Sequence, residues 1–126
     1  MTATPLQAAR SLHAQGHTPT LLLSARREPF GARSLLCCEP EQRVTVPPGS
    51  GAGLPAIPPR LVHGAHGSGL WVGAAAYDAG LPLLGITSRH VSDVPALVAA
   101  HHASYAAYDH DTGRWTLVGP PTPARP

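Results

Sequence analysis

The sequence predicts an α+β domain, mainly antiparallel β-sheet in a sandwich-like arrangement, with a short N-terminal helix. Three observations carry that prediction: a capped helical stretch at the start, short apolar or alternating runs bounded by turn-formers, and a hairpin signal near the end. A chain of 126 residues has room for one modest domain that buries roughly two-thirds of its unfolded surface. Leu, Ile, Val and Phe together number 26, about 20%, which is low for a globular core. A net charge of only +2 leaves out the self-repulsion that keeps disordered chains open. A thin core is therefore expected.

The helix begins in TPLQAARSLHAQGH. Thr4 stands as N-cap, Pro5 at the first helical position and Gln7 three residues after the cap, which is a capping box. Leu6, Ala9 and Leu12 recur at helical spacing and Gly16 supplies the stop, so the helix runs from about Pro5 to Gln15. TLLLS (Thr20 to Ser24) and RSLLCC (Arg33 to Cys38) are short apolar runs that read as strands buried on both faces. Between them ARREPFGA carries charge, Pro29 and Gly31, as a connection would. QRVTV (Gln42 to Val46) alternates and predicts a strand half-buried through Val44 and Val46.

PPGSGAGLPAIPPR, residues 47–60, holds five prolines and three glycines and reads as an insertion inside one domain of residues 1–120. GLWVGAAAYD (Gly69 to Asp78) fits a strand, although its three alanines suit a helical turn equally. In VPALVAAHHASYAAYDH, Ala and Leu dominate, and propensity alone gives a helix from about Val94 to His102. YDHDTGRWTLVG alternates around Asp111, Thr112 and Gly113, the turn chemistry of a hairpin. The closing PTPARP, residues 121–126, reads as a tail.

Composition also excludes several classes of function. All nine basic residues are Arg, with no Lys or Asn anywhere, and they are scattered, so no phosphate-binding stripe forms and nucleic acid is not an expected partner. No apolar run approaches the ~20 residues that span a bilayer and the N-terminus has no signal-like apolar region. A cytoplasmic location and no membrane partner are expected. Cys37 and Cys38 are adjacent, so on a strand they diverge; they read as small core residues rather than a redox pair. The histidines, including His63, His66, His90, His101, His102 and His110, lack any metal-binding framework and are expected to be scattered on the surface. Asp109, His110 and Asp111 read as a turn bonding its own backbone. The seven carboxylates form no helical-spaced pair or triad-like constellation, so no catalysis is expected from this chain alone.

Three blocks in order carry a family resemblance. TLLLSARREPFGARSLLCCEP, Thr20 to Pro40, resembles a stretch in which an L-L-x-S strand is followed by a loop with an Arg-Ser pair and an apolar strand closing on an acidic residue and Pro. Leu21, Leu22, Ser24, Arg33, Ser34, Glu39 and Pro40 stand in those places. GLWVGAAAYDAG resembles a glycine-rich strand ending in Tyr-Asp, with Gly69, Gly73, Tyr77, Asp78 and Gly80 matching and Ala74 where an aromatic is common. SYAAYDHDTGRWTLVG is similar to a strand, Asp-His turn and returning strand. In this order, over about Pro19 to Gly119, the blocks resemble the N-terminal domain shared by aminodeoxychorismate synthase component I and anthranilate synthase component I.

That resemblance implies a strand rather than a helix from about Leu97 to Asp109. It implies a non-catalytic domain whose family houses the chorismate chemistry and magnesium in a C-terminal domain lacking from these 126 residues, so that no cofactor belongs to this chain. The implied role is a scaffold for a separate chorismate-binding catalytic domain, with a glutamine amidotransferase subunit as a further partner. The implied pathway is folate (4-aminobenzoate) biosynthesis, because Leu23 replaces the acidic residue found before Ser in the feedback-regulated branch; tryptophan biosynthesis is the alternative. By residue match, tryptophan would sit beside Ser24, with Phe30, Arg33 and Ser34 in the adjoining wall. A hydroxyl and a guanidinium suit an amino acid's ammonium and carboxylate. The plainer readings are a strand-end hydroxyl on backbone for Ser24 and a solvated charge for Arg33. A stand-alone tryptophan-binding module and a truncated remnant complete the alternatives.

Overall fold

A computed structural model describes residues 2–24, 32–48, 69–90 and 92–120. Phe30, most of the Pro/Gly-rich insertion and the 121–126 tail lie outside the described residues. The chain divides into two compact units, the first from residues 1–41, 68–70 and 102–126, the second from residues 42–67 and 71–101.

In the first unit, helix α1 covers Pro5–Ala14. Its capping box forms as the sequence predicts: the Thr4 hydroxyl accepts from the Gln7 N–H at 3.4 Å, and the Gln7 side-chain oxygen accepts from the Thr4 N–H at 3.0 Å. These bonds satisfy donors that a helix start otherwise leaves to water. Pro5 and Ala9 are buried, on a helix that meets strands β1 (Thr20–Leu22) and β2 (Arg33–Cys37). With β6 (Tyr105–Asp109) and β7 (Arg114–Val118), these strands make an antiparallel sheet in the order β1-β2-β6-β7.

Burial within that sheet corrects one expectation. β2 lies between two strands and buries Ser34, Leu36 and Cys37. TLLLS was expected to be buried on both faces as well, yet β1 is an edge strand and Leu22 and Leu23 are exposed. An edge has a neighbour on one side only, so three leucines in a row do not by themselves make an interior strand.

The second unit carries a sheet of β3 (Gln42–Val46), β4 (Leu70–Ala75) and β5 (Leu97–His102), in the order β3-β5-β4. β3 alternates as its sequence predicts, with Val44 and Val46 half-buried and Arg43 and Thr45 exposed. It pairs antiparallel with β5, Val44 opposite Ala99. One face of the sheet holds an open hollow of about 260 Å³ over Arg43, Thr45, Val72, Ala74, Val98 and Ala100.

Two further boundaries differ from expectation. The glycine-rich strand ends at Ala75 rather than Asp78, and Tyr77–Leu84 turns into a 3-10 helix that Gly85 closes at a φ of 68°. Pro82 lacks the N–H a ladder would need, which favours leaving the sheet here. The strand expected from Leu97 to Asp109 is two strands, β5 and β6, separated at Ala103 and Ser104. β5 pairs in one sheet and β6 in the other, so the extended conformation is right and its continuity is not. Among the described residues the buried apolar side chains are Pro5, Ala9, Leu36, Cys37 and Ala99, a core as thin as the composition implies. No described helix is long and apolar enough to cross a membrane.

β4 and β5 approach each other closely at Gly73. A Cβ there would lie 2.7 Å from the Val98 carbonyl oxygen and 3.0 Å from the Ala99 Cβ, so a side chain must spread β4 from β5. Gly73→Ala is expected to lower the unfolding free energy by about 1–3 kcal/mol. Gly80→Ala, where a Cβ meets open space, serves as control in the same urea titration. Equal midpoints for both variants would contradict the packing argument.

Candidate functional site

The polar centre of the first unit is Ser34. It sits in β2 opposite Tyr108 of β6 and is 0% exposed. Its Oγ accepts the backbone N–H of Ser24 at 3.0 Å and lies 2.8 Å from Nε2 of His110. A serine hydroxyl has one proton and two acceptor lone pairs. After accepting from Ser24, it can donate to a neutral His110 or accept from a protonated one.

His110 is held from several sides. Its backbone N–H donates to the Ala32 carbonyl at 2.8 Å. Its ring meets Tyr108 edge-on with centroids 5.1 Å apart, and Tyr108 packs in the same way on Trp115 at 5.0 Å. The Trp115 indole N–H donates to the Ala3 carbonyl at 2.9 Å. Such T-shaped aromatic pairs and a satisfied indole N–H are ordinary stabilising contacts.

Beside this cluster, Arg33 is mostly exposed and its Nε stands 4.0 Å from Asp109 Oδ2. The other oxygen of Asp109 accepts the N–H groups of Asp111 and Thr112, each at 2.9 Å. The turn therefore bonds its own backbone, as expected. The Thr112 backbone N–H, chiefly, holds the Asp109 carboxyl below the usual carboxylate range, with help from Asp111 and Arg33. Gly113 completes the turn at a φ of 67°, a conformation that costs a residue with a Cβ about 1 kcal/mol or more.

The structure thus brings Ser24 and Ser34 together through a hydrogen bond, and puts Arg33 next in sequence with its side chain in solvent. Phe30 lies outside the described residues. The sequence presents His110 as a turn residue and as one of the scattered surface histidines; it is half-buried, and its ring bond to Ser34 depends on the β2–β6 register that no local pattern announces. A Ser–His contact suggests nucleophilic chemistry, but a hydroxyl with no exposed surface offers no approach to a substrate carbonyl. The arrangement is suited to positioning.

The remaining histidines and the cysteines separate cleanly. His101 stacks on Trp71 with centroids 5.1 Å apart, whereas His102 is 1% exposed and its Nδ1 lies 3.2 Å from the Cys38 carbonyl oxygen. The two adjacent rings diverge as expected, but His102 is not a surface residue. A carbonyl only accepts, so Nδ1 carries the proton. Among the described residues no group of three or more His, Cys, Asp or Glu is placed to hold a metal; His63 and His66 lie outside those residues. Cys37 is buried, with its thiol 3.7 Å from the Thr20 carbonyl, and Cys38 is half-buried; both are free thiols. Burial, aided by the neighbouring Cys38, pushes the Cys37 thiol up to about 11, and burial raises Cys38 too.

No protein family, curated protein or solved structure matches this chain. The site is accordingly read from its own geometry.

Two pH dependences follow. A carboxyl depressed by folding contributes stability above its unfolded pKa and loses that contribution as pH falls through the folded value. Asp109→Asn is therefore expected to be less stable than the parent at pH 7, with the gap closing as pH drops below about 4. A gap that persists in acid would remove the carboxylate as its cause. The Cys37 thiol runs the opposite way: raised from 9.0 to about 11, it keeps its proton longer in the folded state. Thermal stability is expected to fall from about pH 9 upward, and Cys37→Ala should flatten that decline.

Proposed function

We propose that this chain is the non-catalytic N-terminal domain of a component I synthase of the aminodeoxychorismate type, and that it scaffolds a separate chorismate-binding catalytic domain in 4-aminobenzoate and folate biosynthesis. The observation that carries the reading is the ordered set of three sequence blocks. The first covers β1 and β2, the second β4 and the third the β6–β7 hairpin. The α+β fold with two antiparallel sheets supports it, as does the meeting of Ser24 with Ser34 where the resemblance puts the polar end of a tryptophan site. On this reading chorismate and magnesium belong to the catalytic partner, a glutamine amidotransferase subunit supplies ammonia, and the present chain completes the assembly.

The same site favours a second reading, a free-standing amino-acid-binding module. Ser24 carries a hydroxyl and Arg33 an exposed guanidinium, groups of the kind that pair with an amino acid's charged ends.

Co-expression with the catalytic domain of an aminodeoxychorismate synthase component I separates the two. The scaffold reading expects the proteins to co-elute and the pair to convert chorismate with ammonia faster than the catalytic domain alone. It also expects no chorismate turnover by this chain by itself. Separate elution with unchanged turnover would overturn it. Calorimetric binding of tryptophan by the isolated chain, in that event, would favour the binding module.

A further inference from the structure

We propose that His110 is a positioning residue for Ser24, acting through the hydroxyl of Ser34. The inference rests on the reading of Ser24 as the ligand-facing residue of the proposed site, and it adds a residue that the sequence blocks do not assign to that site.

Ser24 lies beyond the β1–β2 ladder, whose last pair is Leu22 with Leu35. Its backbone N–H goes instead to the side chain of Ser34. A hydroxyl is a good anchor only if its rotor is fixed, because Oγ can swing between three staggered positions. His110 fixes it: Nε2 lies 2.8 Å from Oγ, and the imidazole is itself held by the Ala32 carbonyl through the backbone and by Tyr108 through ring contact. Tyr108 is backed by Trp115, whose indole is tied to Ala3. A continuous set of contacts therefore runs from the hairpin to the backbone of Ser24.

The same residue serves both ends of the β1–β2 connection, one through its ring and the other through its backbone. One end, Ser24, is reached through Ser34; the other, Ala32, is reached directly by the His110 N–H. Because a hydroxyl both donates and accepts, the Ser34–His110 bond survives protonation of the ring. His110 therefore positions Ser24 in either charge state.

Amide hydrogen exchange by NMR on the whole chain tests this. In His110→Phe, which keeps an aromatic ring against Tyr108 but removes the polar nitrogen, the Ser24 amide should exchange about tenfold faster, the scale of one lost hydrogen bond. Ser34→Ala should do the same, and the double variant should add little, because both act on one bond. Amides of the β3–β5 ladder should stay within about twofold, and His110→Gln should recover part of the protection. Unchanged Ser24 exchange in His110→Phe, or equal acceleration across all amides, overturns the proposal. Should His110→Phe not fold, the wild-type chain decides: a nuclear Overhauser contact between the His110 ring and the Ser34 side chain is expected, and its absence is fatal. Tryptophan titration is the separate arm. Binding by the parent that weakens about tenfold in His110→Phe supports both statements. No binding by the parent removes the ligand reading and leaves the Ser24 exchange result to judge the positioning role.

Discussion

The pairing of β2 with β6 governs the first unit, because every other element there is built on one of those two strands. β1 and β6 flank β2, β7 returns on β6 through the Asp109–Gly113 turn, and α1 meets β1 and β2. The pairing closes a long loop: Ser34 and His110 are 76 residues apart in sequence. Closure over that length costs entropy that local contacts do not return. Few large apolar side chains are available to oppose it, since among the described residues of this unit the buried apolar ones are Leu36, Cys37, Ala9 and Pro5. Register must then be set by something more specific than apolar burial. A slip of one residue would turn Ser34 to the other face and leave a buried hydroxyl without partners, at a cost of about 1–3 kcal/mol.

The second unit solves the same shortage differently. β5 is LVAAHH, a sequence whose alanines and leucine favour a helix in isolation. It is a strand because it lies between β3 and β4 and has partners on both sides. Propensity differences of a few tenths of a kcal/mol per residue are outweighed by two rows of backbone bonds and side-chain contacts. Small side chains are useful in that position. Gly73 and Ala99 allow β4 and β5 to approach to a distance that larger residues would forbid.

Features fixed by neighbours in sequence were legible from sequence alone. Thr4 and Gln7 specify the helix start, Gln42 to Val46 alternates as its burial does, and the Asp109 turn satisfies its own N–H groups. Each depends on contacts spanning a few residues. What was not legible depends on distant partners. Leu22 looks like interior and is edge; His102 looks like surface and is buried; the Leu97 to Asp109 stretch looks like one strand and supplies two sheets. Composition cannot distinguish a strand with two neighbours from a strand with one. Of the candidate residues, Ser24 and Ser34 stand close in sequence and are joined by a hydrogen bond, whereas the bond from His110 to Ser34 spans 76 residues and leaves no local signal.

Ser24 and Ser34 differ in the surface they leave open. Ser24 follows the end of β1, is half-buried, and has its backbone engaged by Ser34. Ser34 lies inside β2 with no exposed surface, and its oxygen already serves an amide and an imidazole. A hydroxyl in that state has no exposed surface to offer a ligand, and its two bonds join the hairpin to the residue after β1. A strand with one neighbour and exposed leucines at its end is prone to fray, and the Ser34 bond is anchored from the interior of the sheet. Arg33, one residue earlier on the same strand, projects to solvent beside Asp109. The alternation of β2 thus separates adjacent residues, Ser34 buried against the Ser24 backbone and the His110 ring, Arg33 exposed beside Asp109.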